Sequence, residues 1–445
     1  MPCHSLKGPW GLVKIRDKLD SHFQRQGERE RAAALSDLRR RLDRLLDPRR
    51  ARATGGADIP QAQPIEELLE GQFVPTPFGE VFVVRETYDL GYRHGGTLLE
   101  ELLQVPYYPA HLITKDERLK GIDFHRTLFL DTETTGLAGG TGTYAFMVGA
   151  GSFREEGFTV QQLFMRNHSE EMAVLSVLEG LLDHCDFLVT FNGKNFDIPL
   201  LETRFILSRR TSPLADKPNY DLLFPSRRIW KKAYHNCRLT TLEAQLLDID
   251  RGDDIPSEWI PSLYFDFVRT GDARKISRVF YHNRMDILSM VILAHRIHLT
   301  YHDPSAANPR RGIEHLVLGK LFMEHGLVEK ATACLEETLK RCDEPFWWEA
   351  MKYLSLAYKR KGQWKRSAAL WEDMISRDGG RRSSFPYVEL AKYYEHKVKD
   401  YAKALEMVQR AFEMVDYLGP PEREALRHRQ RRVVGKEEKF HRRSP

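Results

Sequence analysis

The chain has 445 residues, with 68 Lys and Arg against 63 Asp and Glu, so its formal net charge is only +5. This length allows two or three domains with a sizeable core, and the slight positive charge permits a polyanionic partner without requiring one. The sequence contains no apolar run long enough to span a membrane, which takes about eighteen residues or more. Its start lacks the hydrophobic region of a signal peptide.

Cysteine usage indicates a reducing compartment. The five cysteines are scattered and form neither a CxxC motif nor an even set typical of a disulfide framework: Cys3, Cys185, Cys237, Cys334 and Cys342. Structural disulfides are rare where thiols are kept reduced. The sequence therefore predicts a cytoplasmic protein with no membrane partner.

Residues 1–60 form an Arg-rich segment. Leucines between residues 35 and 46 recur at helical spacing, which predicts an amphipathic helix. Its basic face is either a nucleic-acid contact or a solvated surface. Residues 54–57 have the composition of a linker, and residues 61–120 are predicted to be an accessory region whose pattern indicates no function.

Residues 121–300 alternate between strand and helix patterns. The predicted strands begin at Thr127, Tyr144, Phe158 and Phe187, and the predicted helices cover residues 170–182, 195–207, 240–247 and 276–299. Three successive strands followed by helices and a further strand predict an α/β domain, in which helices cover a mixed sheet.

A repeat follows residues 301–309, which have the composition of an interdomain linker. Leu321-Phe322 and Gly326 recur 36 residues later as Ala357-Tyr358 and Gly362, and less closely near Ala391. Small residues at this spacing are typical of paired, touching helices. Residues 310–418 are therefore predicted to form tetratricopeptide-like repeats for an unidentified protein partner, although generic helical hairpins are an alternative. Residues 419–445 are predicted to be a basic, disordered tail.

Two acids follow the first predicted strand. Asp131 and Glu133 are separated by one residue, and residues i and i+2 of a strand point to the same face. Neighbouring carboxylates repel each other unless a positive charge neutralises them, and divalent cations supply such charge. The alternative is a strand end with solvated acids.

Two later motifs carry further candidates. Asp197 follows the fourth strand and opens a helix, so that it lies at the same sheet edge unless it merely caps that helix. His282 and Asp286 are spaced i and i+4, which places them on one face of the last helix. Such a pair alone is more often structural than catalytic.

Together these motifs resemble those of DEDD-type 3′–5′ exonucleases of the ribonuclease H-like superfamily. The order is acid-x-acid on the first strand, Asp after the fourth strand, and His with Asp on the last helix. The combination with helical repeats resembles the bacterial YprB type. The resemblance covers residues 122–300, and more weakly the repeats. It implies an α/β, ribonuclease H-like mixed sheet with flanking helices, followed by an all-α tetratricopeptide-like repeat domain.

The resemblance also implies a cofactor and a base. Asp131, Glu133, Asp197 and Asp286 would hold two divalent cations, Mg²⁺ or Mn²⁺, which prefer oxygen ligands. Family members carry a Tyr four residues before the last Asp or a His five residues before it, whereas this chain has His282 at four and Tyr281 at five. On a continuous helix an offset of four faces Asp286 better. His282 is therefore expected to be the base and Tyr281 to pack into the core.

The expected function is a metal-dependent 3′–5′ exonuclease that acts on single-stranded DNA or RNA. Six basic residues are candidates for phosphate contacts: Lys194, Arg204, Arg227, Arg228, Lys231 and Lys232. One alternative is an adaptor that binds nucleic acid without cutting it, which the exchange of His and Tyr favours. Another is an endonuclease on the same fold.

Two features are expected to lie outside the site. Gly140-x-Gly142-x-x-Ala145 fits a loose dinucleotide fingerprint, but that fingerprint must open a helix and here a strand pattern follows. We therefore interpret these glycines as a hairpin turn. Asp221 is interpreted as a residue of a strand end or turn.

Overall fold

The computed structural model describes residues 62–105, 109–136, 141–307, 309, 312–341, 346–378, 383–413 and 419–442. The predicted Arg-rich helix and the linker after it lie outside the described residues. From Gln63 onward the chain forms one compact unit. None of the helices in the described ranges has the length and apolar character that a membrane crossing needs.

Nine strands occur among the described residues. They are β1 (Gly71–Thr76), β2 (Gly79–Tyr88), β3 (Arg93–His94), β4 (Thr97–Leu98), β5 (Thr127–Thr134), β6 (Ala145–Arg154), β7 (Gly157–Phe164), β8 (Phe187–Thr190) and β9 (Asn219–Asp221). Seven form one sheet in the order β1-β2-β7-β6-β5-β8-β9, and β3 pairs with β4. Strand β5 is antiparallel to β6 and parallel to β8. The sheet is therefore mixed, as predicted.

The helices form two groups: the first lies among the strands along the chain, and the second follows after the last strand. The first group is α1 (Ile65–Leu68), α2 (Glu101–Gln104), α3 (Pro109–Thr114), α4 (Glu171–Asp183), α5 (Asp197–Leu207), α6 (Leu223–Trp230), α7 (Leu239–Leu242), α8 (Ile260–Thr270) and α9 (Ser277–His302). The second is α10 (Pro304–Ala307), α11 (Gly312–Glu324), α12 (Val328–Arg341), α13 (Trp347–Arg360), α14 (Trp364–Asp378), α15 (Phe385–Tyr393), α16 (Tyr401–Phe412) and α17 (Pro420–His441). Two π-helical segments, Glu243–Leu247 and Tyr394–Val398, continue α7 and α15.

Strands β1 and β2, which fall within the predicted accessory region, belong to the main sheet. Strand β2 pairs antiparallel with β7, from Phe82 opposite Phe164 to Tyr88 opposite Phe158. The alternation that marks a half-buried strand is absent from this stretch, because Val81 to Val84 are all buried. The sheet thus contains β1, β2 and β9 in addition to the four strands predicted within residues 121–300.

The apolar core runs from the sheet into the first repeat helices. One continuous cluster contains Phe129 of β5, Ile287 of α9 and Phe322 of α11. Tyr301 is fully buried, and its ring centroid lies 5.0 Å from that of Phe322. The predicted linker at residues 301–309 is instead the end of α9 followed by α10. The predicted domain boundary near residue 300 therefore lies inside a shared core.

Three antiparallel helix pairs form the repeats within the described ranges: α11 with α12, α13 with α14, and α15 with α16. Gly326 and Gly362 end the first helices of two pairs with φ of 73°, a left-handed conformation that glycine adopts without strain. In the third pair, Lys399 follows the π-helical segment Tyr394–Val398 with φ of 62°. The recurrence in the sequence thus corresponds to a recurring helix end.

The prediction of a disordered tail is wrong for residues 420–441, which form α17. Few apolar groups anchor this helix, with Leu426 and Val433 buried. Ion pairs replace the missing apolar surface, because the buried Glu395 carboxylate binds cations along α17. Composition predicted disorder because it counts apolar residues and not such pairs.

Candidate active site

Strand β5 presents Asp131 and Glu133 toward helix α9. Asn283 donates from Nδ2 to Oδ2 of Asp131 at 2.8 Å, and its own Oδ1 accepts from Nε2 of Gln162 at 3.0 Å. This second bond fixes the amide orientation. Gly149 of β6 makes the approach possible, because a Cβ there would lie 2.2 Å from Oδ1 of Asn283. Glu133 is buried, at 8% exposure.

Asp197 is the first residue of α5, and its carboxylate is turned toward β5. The N-cap is Phe196, so Asp197 does not cap the helix. The Thr132 hydroxyl donates to Asp197, which ties the two motifs together. Asp221 holds the preceding turn by accepting from the backbone N–H groups of Asn192 and Lys194, at 2.8 and 3.0 Å. Asp221 is thus the strand-end residue that the sequence indicated.

Helix α9 brings His282 and Asp286 to the same place. Nε2 of His282 lies 3.7 Å from Oδ2 of Asp286. Glu133, His282 and Asp286 each offer a ligand atom, and these atoms all lie within 4.8 Å of one another. The expectation that Tyr281 packs into the core is wrong: its side chain is 36% exposed, and its hydroxyl donates to the Arg251 carbonyl at 3.3 Å.

Two further residues complete the cluster, and neither was found from the sequence. Arg251 pairs with Asp286 and binds Glu243 through two nitrogens, with Nε to Oε2 at 2.7 Å. Asp254 accepts from Nδ1 of His282 at 2.7 Å. Both lie in the irregular segment between the π-helical segment at Glu243–Leu247 and α8. A single sequence offers no spacing rule there, so no signal pointed to them.

Comparison with known proteins agrees with this architecture. A family model described as RNase_H superfamily matches residues 128–298. The chain is also 32% identical over 363 residues to uncharacterized protein YprB of Bacillus subtilis (strain 168), covering 80% of this chain and 86% of that protein. The chain belongs to the YprB family. The matched range contains all four candidate acids and His282, and the resemblance to a ribonuclease H-like fold is confirmed.

The electrostatics of this RNase H superfamily domain disfavour four ionised acids close together. Burial raises the pKa of Asp131 and of Glu133 well above the ordinary range, and the charges of neighbouring acids raise both further. Burial also raises the pKa of Asp197 to about 6, against the lowering effect of the Thr132 hydrogen bond. Arg251 brings a single positive charge to Asp286. An all-oxygen donor set with excess negative charge suits a hard divalent cation.

The acids open onto a cleft of about 1010 Å³. Asp131, Asp197, His282 and Asp286 line it, together with apolar and basic side chains that include Phe191, Phe196, Arg227 and Arg238. The cleft is polar at its base and partly aromatic at its wall. A ligand in this cleft of the YprB-family chain would contact Asp131, Asp197 and Asp286 directly.

Two of the predicted phosphate contacts are engaged elsewhere. Arg204 is buried and pairs with Glu171, and its Nη1 donates to the Thr141 carbonyl at 2.8 Å. Arg228 donates to the Ile113 carbonyl at 2.9 Å and to Glu324 of the repeats. Arg227, by contrast, lines the cleft. Basic character alone did not separate these roles, because it carries no information on burial.

Proposed function

We propose that this chain is a metal-dependent 3′–5′ exonuclease of the cytoplasm that hydrolyses phosphodiester bonds of single-stranded DNA or RNA. The observation that carries the proposal is the convergence of acids from β5, α5 and α9 at one open cleft, with Glu133 and Asp197 buried. Such carboxylates destabilise the fold by mutual repulsion, so their presence is best explained by a ligand that needs them. The nuclease character of the superfamily supports the same reading.

Asp131, Glu133, Asp197 and Asp286 would hold two Mg²⁺ or Mn²⁺ ions. Bound there, these ions would supply positive charge to the attacked phosphate and lower the pKa of a water. The residues present fit such ions, because the four acids offer only oxygen donors and Asp131, Glu133 and Asp197 have raised pKa values. Asn283 and Thr132 orient two of these carboxylates by hydrogen bonds, as outer partners of metal ligands do.

His282 is proposed to accept the proton of the attacking water. Its Nδ1–H donates to Asp254, which assigns the lone pair to Nε2, where the Ser257 hydroxyl lies at 3.3 Å and Oδ2 of Asp286 at 3.7 Å. Burial lowers the pKa of His282, but the hydrogen bond to Asp254 and the charge of Asp286 raise it more, so that the net shift is upward. A water that reaches Nε2 would replace the long contact with Ser257, while the bond to Asp254 keeps the ring oriented as a general base requires.

The cleft wall supports a single-stranded substrate. Phe191 and Phe196 offer rings on which unpaired bases can stack, and Arg227 and Arg238 offer charge for the phosphates. In a duplex the faces of the bases are stacked on neighbouring base pairs and are not available to these rings. The repeats remain proposed to bind a protein partner.

An adaptor that binds nucleic acid without cutting it is the second candidate. The pair between Arg251 and Asp286 favours it, because a guanidinium neutralises that carboxylate without a metal. The two candidates differ in their response to Mn²⁺. Only the enzyme releases product.

The test is incubation of the purified protein with Mn²⁺ and single-stranded DNA or RNA labelled at the 5′ end. A 3′–5′ exonuclease shortens the labelled strand stepwise and is inactive on the same sequence closed into a circle. Cleavage of the circle would instead assign an endonuclease. Binding without cleavage under all metals tried would assign the adaptor. The Asp131→Asn protein controls for contaminating nucleases.

A further inference from the structure

A basic cavity lies in the repeats, away from the acids. Its volume is about 250 Å³, and it is lined by Trp364 at the start of α14 and by cationic side chains of α13, α17 and the segment that follows α15. We call it the Trp364 pocket and define it by Trp364, Lys359, Lys397, Arg429 and Arg432. A second cavity also borders Trp364 and Lys359, so the indole stands between two open spaces.

Cations lie over the indole ring of Trp364. Nζ of Lys397 is 4.4 Å from the ring centroid, and Nζ of Lys359 is 5.8 Å from it. Lys359 also pairs with Glu389, whereas the described contact of the exposed Lys397 is the ring itself. An aromatic face beside a lysine without a carboxylate contact is suited to a ligand that combines a flat ring with an anion.

The opposite wall holds more positive charge than its carboxylate neutralises. Glu395 is buried and binds Arg429 at 2.9 Å, Arg432 at 2.8 Å and Lys436 at 2.8 Å. One carboxylate offsets one of these charges. Glu395 reaches them from the π-helical segment Tyr394–Val398, a type of distortion that occurs frequently at functional sites.

We propose that the Trp364 pocket binds single-stranded nucleic acid, with a base against Trp364 and phosphates at Lys397 and Arg432. Cations alone would equally suit an acidic peptide, but a peptide carboxylate makes no use of the indole face. Stacking on an aromatic ring beside a basic groove is how single strands are bound without sequence preference. The choice of nucleic acid over other polyanions rests on the proposed function, whereas the anion site itself does not.

The test measures binding without cleavage. In an Asp131→Asn background with EDTA, the fluorescence anisotropy of labelled oligo(dT) and oligo(U) gives Kd at several salt concentrations. Lys397→Glu and Trp364→Leu should each weaken binding by about fivefold or more, and Lys397→Glu should also reduce the salt dependence by about one phosphate contact. Lys340→Glu, which makes the same charge change at an exposed position of α12, is the matched control and should change Kd by less than about twofold. Thermal melting confirms that each variant is folded.

Three outcomes would overturn the proposal. One is an unchanged Kd in folded Lys397→Glu and Trp364→Leu proteins. Another is an equal loss in Lys340→Glu, which would indicate general electrostatics. The third is displacement of the oligonucleotide by a Glu-rich peptide of equal charge at equal concentration, which would assign the pocket to an acidic protein. Failure of the nuclease assay leaves this binding result unaffected, so the two proposals fail separately.

Discussion

Arg251 pairs with Asp286, the last acid of the candidate site, while the same guanidinium binds the buried Glu243. A divalent cation at the acids would draw on the same Asp286 carboxylate. Arg251 would therefore compete with a bound cation for Asp286, and it is also the counter-charge of the buried Glu243 carboxylate. Its removal should separate these two effects.

Replacing Arg251 by Gln should destabilise the protein in EDTA by about 3–5 kcal/mol, because Glu243 then lacks its charged partner. The same change should tighten Mn²⁺ binding, because Asp286 can then bind the ion without first breaking its ion pair with Arg251. Thermal melting with and without Mn²⁺ and calorimetric titration measure the two effects. Arg238→Gln, which removes another cleft cation, is the control. Equal Mn²⁺ affinity in parent and Arg251→Gln would contradict the competition.

Replacing Asp131 by Asn should abolish cleavage and leave the fold intact. The substitution removes a charge that burial and neighbouring acids disfavour, so the free energy of unfolding in EDTA should rise by on the order of 1 kcal/mol. Urea denaturation in EDTA measures this gain. The exposed Asp216 offers the control Asp216→Asn, which should change neither quantity. Cleavage at the parental rate by Asp131→Asn would remove the site assignment.

Replacing His282 by Ala should lower the cleavage rate about a hundredfold or more, the usual contribution of a positioned base. Tyr281→Phe should leave the rate nearly unchanged, because its hydroxyl contacts only a backbone carbonyl at the surface. The cleavage rate of Asp254→Asn should lie between those of His282→Ala and Tyr281→Phe. This change weakens the hydrogen bond at Nδ1 of His282 but leaves Nε2 in place. Cleavage rates of the three variants under saturating Mn²⁺ test this order. A crippled Tyr281→Phe beside an active His282→Ala would reverse the assignment.

Truncation should show where the catalytic unit ends. A fragment of residues 63–302 exposes the apolar surface that α11 and α12 cover, at a cost of about 1.5–3 kcal/mol for each large side chain uncovered. It should aggregate, whereas residues 63–442 keep this cluster and the second apolar cluster of the repeats, and should remain soluble. Size-exclusion chromatography and thermal melting compare the two. A monomeric, cooperatively melting 63–302 fragment would restore the boundary predicted from the sequence.

Acidification should destabilise the fold through His94. Burial lowers its pKa to about 4, and its Nε2 lies 2.9 Å from the Ser289 hydroxyl. The unfolded chain therefore binds a proton at His94 below about pH 6.5, whereas the folded chain binds it only below about pH 4. The stability of the fold consequently decreases as the pH falls through this window. Between about pH 7 and about pH 5 the loss from this group is on the order of 1–2 kcal/mol. His94→Gln should show a correspondingly smaller loss in urea denaturation; an equal loss would contradict the assignment.

Local patterns predicted the elements that carry the acids, and for a physical reason. The buried run before Asp131 and the i, i+4 spacing of His282 and Asp286 are local patterns, because each lies within one strand or one helix. Arg251 and Asp254 meet these residues only through the folding of an irregular segment, which no local period encodes. The same holds for the ion pairs of Glu395 with α17, which join residues more than thirty positions apart.

Helix α9 has 26 residues, which corresponds to a rod of about 39 Å. His282 lies near one end, and Tyr301, packed on the repeat residue Phe322, lies at the other. The two are separated by about 28 Å along the axis, so a tilt of only about 2° at Tyr301 displaces His282 by about 1 Å. A misplacement of about that size costs an enzyme roughly a hundredfold in rate. A small tilt of α9 at the repeats would therefore change the position of His282 in the candidate site.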